Sequence, residues 1–329
     1  MNGPQPINNL NDFRRDTAEC WQRLPNKAFF FVLLAAWLAL FQFLGNSILG
    51  YVHTSSLFLW MYKAYNAASG EEVNDQHGNF IPFIVLALFW WKRHELLNSK
   101  LQFWGPGLAI LIFAMLLQIL AYTVQVPQAS IVALFFGIYG LMGLAWGTEW
   151  LRKSIFPFFL FAFSVPLGQH GTFVTFPLRL LVTWLVAGVC HIVGIDVIRT
   201  GTELYNPFGT FQYDVAPACS GIRSLVAIFL LATIYAFFLL RSGWKRFLLI
   251  VLAVPFAVLA NLLRLLMVIV AAQIGGQNVG DWVHDNWCTS MLPYVPAFIG
   301  FLFVGQRLEK QEGARTLENQ EAAPAVAPN

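Results

Sequence analysis

The chain has 329 residues, of which 57% are hydrophobic and only 11% charged, with 31 Phe and 12 Trp. Soluble domains carry roughly 25% charged residues, so composition excludes a water-soluble globular fold and indicates a membrane protein. The net charge of +3 is too small and too scattered for a nucleic-acid partner, and the basic residues fall in short clusters between apolar runs, where they set membrane orientation.

Residues 1–27 are polar and carry Arg14, Arg15 and Arg23 ahead of the first apolar run. No small-residue cleavage site follows that run, which is read as an uncleaved anchor. A spanning helix needs about 20 mainly apolar residues. By that measure spans are predicted near 28–45, 80–92, 105–124, 130–148, 155–168, 217–240, 247–272 and 289–306, the second and fifth being short. The segment 172–194, with Phe176-Pro177-Leu178-Arg179 and Trp184, is apolar enough to suggest a ninth. The following stretch 195–216, with Thr200, Gly201, Thr202, Gly209 and alternating Phe211 and Tyr213, predicts a short β-hairpin or ordered loop. From Glu309 the chain is polar and then rich in Ala and Pro, which predicts a disordered end.

Orientation follows from the basic clusters Arg14/Arg15/Arg23/Lys27, Lys92/Arg93, Arg152/Lys153, Arg241/Lys245/Arg246 and Arg307/Lys310. Placing all of them in the cytoplasm lets eight spans alternate consistently, with both termini inside. A ninth span would throw Arg241, Lys245 and Arg246 outside, so 172–194 is read as an interfacial or re-entrant helix on the outer face. The expected fold is all-α: a polytopic helical bundle of about eight transmembrane helices, an interfacial or re-entrant helix, and a short outer-face loop or hairpin. It divides into a cytoplasmic segment 1–27, a transmembrane domain 28–306 and a disordered cytoplasmic tail 307–329.

This topology brings three chemically useful residues to one side. Cys219, in Pro217-Ala218-Cys219-Ser220-Gly221-Ile222-Arg223-Ser224, stands at a predicted helix start. Pro217 suits the first turn of a helix, and the free N–H groups there, with Arg223 one turn on, favour a thiolate. Gly221 leaves room for a neighbouring helix or a substrate backbone. Arg264 stands inside a span, in Asn261-Leu262-Leu263-Arg264; such a residue costs about 2.5–3.5 kcal/mol to insert and is usually functional or paired. It is expected about 12 Å below the helix end near Ala272, at 1.5 Å per residue. A polar outer loop, 273–288, carries His284 between Trp282 and Trp287, a general acid–base candidate.

The remaining candidates are weaker. Cys20, Cys190, Cys219 and Cys288 show no CxxC or zinc-ligand spacing. A metal site from His170, His191, Asp214 and His284 lacks any HExxH-like signature, so neither a metal nor a cofactor is expected. A Cys219–Cys288 disulfide would consume the reactive thiol. Ser220 has no nucleophile-elbow context. His77, in His77-Gly78-Asn79-Phe80-Ile81-Pro82, lies at the mouth of the second span, where it can touch substrate.

Taken together, Pro217-Ala218-Cys219-Ser220-Gly221-Ile222-Arg223, then Asn261-Leu262-Leu263-Arg264, then His284 closely resemble the exosortase/archaeosortase family of integral membrane proteins. The stretch His77-Gly78…Pro82 looks like a further family feature, and the resemblance covers about residues 28–306. It implies a membrane cysteine transpeptidase or peptidase in the inner membrane, with its site on the extracytoplasmic face. Cys219 would be the nucleophile, Arg264 the oxyanion or thiolate stabiliser and His284 the proton shuttle. Arg223, Asn261, Ser220, Gly221 and His77 are expected substrate contacts. The implied partners are membrane lipids and secreted proteins ending in a Pro-Glu-Pro-type motif, a membrane helix and a basic cluster (a PEP-CTERM-like signal). The thioacyl-enzyme would pass to water or to an amine or glycan-lipid nucleophile, and bacterial members are associated with exopolysaccharide production. A competing expectation is a transporter or flippase of lipid-linked saccharide using Arg264 to bind phosphate. A third is a scaffold that needs none of the three residues.

Overall fold

The computed structural model describes residues 10–50, 52–66, 75–166, 172–215 and 222–321, most of them helical. The chain forms two compact units, one holding the described residues up to 166 and the other those from 172 onward. Among the described residues five helices are long and apolar enough to cross a membrane: Lys27–Leu44, Gly107–Val124, Pro127–Trp146, Gly243–Gly275 and Cys288–Glu312. Ile81–Trp91, Phe176–Ile192 and Ile228–Leu239 are apolar but shorter. The protein is therefore a helical membrane protein.

The first unit contains α1 (Leu10–Arg23), α2 (Lys27–Leu44), α3 (Leu57–Tyr65), α4 (Ile81–Trp91), α5 (Arg93–Leu97), α6 (Gly107–Val124), α7 (Pro127–Trp146) and α8 (Thr148–Phe159). The α6–α7 hairpin turns at Gln125, which takes a left-handed φ of 61°, and Pro127 opens α7 where a missing N–H costs nothing. The two helices meet on glycines. A Cβ at Gly107 would come within 2.7 Å of the Leu144 nitrogen, and one at Gly140 within 3.1 Å of the Gly107 carbonyl oxygen. Such small-residue contacts let membrane helices close on each other's backbones. Across α7, the Trp37 indole donates to the Leu134 carbonyl at 3.0 Å, anchoring α2 to the same core.

The two spans expected to be short lie side by side. At one end the Lys92 ammonium donates to the Lys153 carbonyl at 2.7 Å, and Lys153 donates to the Glu95 carbonyl at 3.2 Å. At the other end the 3-10 turn Leu160–Ser164, which follows α8, packs on α4 and on the 3-10 turn Gln76–Asn79. There the Tyr65 hydroxyl bonds to the Ser164 carbonyl. The expected continuous helix over 155–168 is thus corrected: α8 stops at Phe159 with Pro157 inside it, and a tighter turn finishes the traverse. Proline removes a helical hydrogen bond and crowds the preceding turn, which accounts for the break. The basic clusters of this unit gather at the Lys92 end. Arg93 pairs with Asp16 at 2.6 Å, and Arg23 donates to Asn98 at 3.1 Å.

The second unit contains α9 (Thr172–Ile192), three short strands, α10 (Ile222–Leu239), α11 (Gly243–Gly275), α12 (Gln277–Asp285), α13 (Trp287–Met291) and α14 (Tyr294–Glu321). Segment 172–194 is helical, as read from the sequence. The stretch after it is a meander of β1 (Ile198–Thr200), β2 (Glu203–Tyr205) and β3 (Gln212–Asp214), one strand more than a hairpin. All its pairs are antiparallel, with Arg199 opposite Leu204 and Leu204 opposite Tyr213. Val182, Val186, Leu204, Val215, Leu265 and Ile269 form a core between α9, the meander and α11.

The expected disorder from residue 307 is also corrected: α14 continues to Glu321, and residues 322–329 lie outside the described set. The extension has a structural task. The Glu312 carboxylate accepts the backbone N–H groups of Arg241 (3.1 Å) and Ser242 (2.6 Å) at the α10–α11 turn, and Lys245 donates to the Leu308 carbonyl at 2.9 Å. It thus satisfies N–H groups that have no partner within a helix.

Replacing Gly107 by Val is expected to force α6 off α7, since the clashing atoms are backbone and cannot rotate away. Overpacking of this kind costs about 1–3 kcal/mol. A lower midpoint in a thermal unfolding scan of the detergent-solubilised protein checks this, and an unchanged midpoint would refute the close contact.

Candidate active site

The site is built on the long helix α11. Its 33 residues reach about 50 Å at 1.5 Å per residue, beyond the roughly 30 Å hydrocarbon core of a bilayer. Arg264 lies eleven residues before the helix end at Gly275, or about 16 Å along the axis. The chain then reverses at Gly276, whose φ of 80° and ψ of 174° belong to a region essentially restricted to glycine. The segment expected to be a polar loop is instead α12, which packs back along α11. This reversal accounts for the meeting of a residue deep in α11 with one near the end of α12. The Arg264 Nη2 and His284 Nε2 atoms are 3.4 Å apart.

Electrostatics fix the proton on the imidazole. A guanidinium only donates, so at this contact Nε2 must be the accepting nitrogen. The proton then lies on Nδ1, which faces the Asp285 carboxylate at 2.8 Å. Asp285, which the sequence reading gave no role, accepts that proton's hydrogen bond and orients the ring. Its signal was the adjacent His-Asp dipeptide on one helical turn. Asp285 is 80% exposed and His284 33%, so solvent screens their attraction.

Asn261, one turn before Arg264, is 1% exposed. Among the described residues no partner meets either side-chain atom of Asn261 or the Arg264 Nε. Tyr213 on β3 abuts α12 so closely that a Cβ on Gly280 would come within 2.1 Å of its hydroxyl. Burial first, then the neighbouring Asp281 carboxylate, pushes the Tyr213 phenol up to about 12.

Cys219, Ser220 and Gly221 lie outside the described residues, and Arg223 is in the first turn of α10. The chain leading to Cys219 is described as far as Val215. Val215 and His284 line the same small cavity, of about 40 Å³, together with Leu265 and Asp214. The Val215 carbonyl accepts from Arg179 Nη1 of α9 at 3.2 Å. Arg179 is a second guanidinium of this unit, quoted in the sequence only as part of an apolar run.

His77 belongs to the first unit, in the 3-10 turn before α4. Burial holds its pKa below the ordinary 6.5, against the opposing pulls of Asp75 and of the Phe163 carbonyl.

An intramembrane arginine and an imidazole folded back onto it define a polytopic membrane protein with a buried polar site. Residues 69–301 match the family described as transmembrane exosortase (Exosortase_EpsH). The chain belongs to that family, whose members are generally peptidases or transpeptidases. No curated protein and no solved structure matches the chain.

Gly280→Val is expected to push α12 away from Tyr213 and Ala272 and so part His284 from Arg264 without altering either residue. Substrate processing should fall as far as it does in His284→Ala; full retention would show that the pairing is not needed. For His77 the sign is set by its lowered pKa: below pH 6.5 the unfolded chain takes up a proton that the folded chain resists. Stability therefore falls on acidification through that range. His77→Gln should flatten the change in thermal midpoint between neutral and mildly acidic buffer, and an identical profile would refute the assignment.

Proposed function

We propose that this protein is a membrane cysteine peptidase or transpeptidase that cleaves the C-terminal sorting signal of secreted proteins. The observation that carries the reading is the Arg264–His284 contact beside Val215. Four residues of extended chain reach at most about 14 Å, so Cys219 cannot lie farther than that from Val215.

In this reading the Cys219 proton moves to His284 Nε2, and Asp285 steadies the resulting imidazolium. The thiolate attacks the scissile carbonyl, forming a C–S bond, while Arg264 meets the charge developing on oxygen. His284 then returns its proton to the departing amine as the C–N bond breaks. The thioester passes to water or to an amine or glycan-lipid nucleophile. Asn261 offers a donor and an acceptor, which complement the two polar atoms of a peptide group. Ser220, Gly221 and Arg223, neighbours of Cys219 in the chain, are the further substrate contacts this reading expects. No metal or cofactor takes part in these steps.

The same reading places the basic clusters and both termini in the cytoplasm and the site at the extracytoplasmic face of the inner membrane. Eight traverses satisfy the positive-inside rule, with α4 and α8 plus its 3-10 turn supplying the two short ones. The substrate is then a secreted protein with a C-terminal helix and basic cluster, held with its scissile bond just outside the lipid.

Cys219→Ala should abolish processing while leaving the protein in the membrane, as followed by immunoblotting of a co-expressed substrate. Arg264→Lys, which loses the planar fork, should lower the rate on the order of 10²–10³-fold, the usual loss for an oxyanion donor. Capture of a Cys219-linked acyl peptide by mass spectrometry would identify the substrate. Normal maturation with Cys219→Ala, together with partial function of Arg264→Lys, would instead favour a phosphate-binding flippase.

A further inference from the structure

The four cysteines show no metal-ligand spacing in the sequence, yet the fold assembles a ligand set from two helices of the first unit. Asp16 and Cys20 are four residues apart on α1, hence on one face. His94, in the short helix α5 after α4, reaches them. One ligand atom from each of Asp16, Cys20 and His94 lies within 4.8 Å of the others.

The detailed geometry suits a tetrahedral ion. His94 Nε2 and Asp16 Oδ1 are 3.2 Å apart. Zinc–nitrogen and zinc–oxygen bonds of about 2.0–2.2 Å at tetrahedral angles would set those atoms about 3.4 Å apart. The other carboxylate oxygen, Oδ2, is held by Arg93 Nε at 2.6 Å, and that guanidinium is seated over the Trp90 ring at 4.4 Å. Ligating carboxylates commonly have such a partner on the oxygen that does not bind. Asp16 is therefore held with Oδ1 toward the imidazole and the thiol. Its side chain is 19% exposed, and Cys20 is half-buried and in no disulfide.

From this we infer that Asp16, Cys20 and His94 form a zinc-binding site tying α1 to α5, with the fourth position left for water. A thiolate with an imidazole selects zinc over the hard cations, and the thiolate and carboxylate charges together neutralise a divalent ion. Binding displaces the Cys20 thiol proton to solvent, and no electron is transferred. The site does not depend on the peptidase reading, since none of its residues is assigned to that chemistry.

Cobalt(II) provides the spectroscopic probe. Untagged full-length protein in detergent, with Cys219→Ser and Cys288→Ser to remove competing thiols, is titrated with Co2+ and then with Zn2+. One equivalent of cobalt should give a thiolate-to-metal charge-transfer band that zinc abolishes. Cys20→Ser should eliminate the band. Asp16→Asn and His94→Ala should each weaken binding by at least the roughly 10–100-fold typical of losing even a supporting residue. Absence of the band, or its survival in Cys20→Ser, would overturn the proposal and leave an Arg93–Asp16–His94 ion network beside an ordinary thiol. A second measurement guards against misfolding of the variants. Zinc should slow maleimide labelling of Cys20 in the otherwise unaltered chain, and labelling at the metal-free rate would count equally against the site.

Discussion

A guanidinium eleven residues inside a membrane helix must find polar company, and the second unit is arranged around that requirement. Unpaired charge in hydrocarbon is expensive, and α11 alone offers Arg264 only Asn261 on the same side. Gly276, in a glycine-only positive-φ conformation, reverses the chain and α12 lies back along α11, delivering His284 to Nη2. The meander completes the enclosure, because Tyr213 meets the one position on α12, Gly280, without a side chain to obstruct it. Energetic necessity and chemical opportunity therefore coincide. The contact that gives the arginine a partner also fixes the imidazole tautomer and hands its other nitrogen to Asp285.

The first unit solves a different problem with the same physics. Neither α4 nor α8 is long enough to cross a bilayer alone, yet they run together, tied at one end through backbone carbonyls and packed at the other through the 3-10 turn after α8. Lys92 and Lys153 secure one end by donating to carbonyls, and at the other Tyr65 of α3 bonds to Ser164 of that turn. The Lys92 ammonium satisfies the Lys153 carbonyl, whose helical partner is missing because Pro157 has no N–H. The two lysines thus close the fold at that end.

Much of this was legible from residue patterns, and the failures have identifiable causes. Long apolar runs announced α2, α6, α7 and α11 because a bilayer-length stretch has few other uses. The Arg264–His284 pair was visible as misplaced chemistry: an arginine in a leucine-rich helix, and a histidine between tryptophans. Three features were misread. Residues 277–285 are polar enough to resemble a loop, but one face packs on α11 and helicity follows from that tertiary contact. The tail beyond Glu309 is polar and low in apolar content, which argued for disorder, but Glu312 is needed at the α10–α11 turn. Proline at 157 ended a helix that hydropathy alone would carry onward. Asp16, Cys20 and His94 could not be grouped from sequence, since 74 residues separate Cys20 from His94.

The neutral tautomer of His284 bears on how such a site can be both stable and reactive. While Nε2 accepts from Arg264, its lone pair is occupied. In the proposed reaction, entry of a peptide carbonyl would draw the guanidinium toward the oxygen, releasing Nε2 for the cysteine proton, and the carboxylate of Asp285 would then offset the new charge. The 3.4 Å separation is long for a hydrogen bond, so little is lost when it opens. A resting contact strong enough to hold the geometry and weak enough to exchange for substrate is what the proposed base requires.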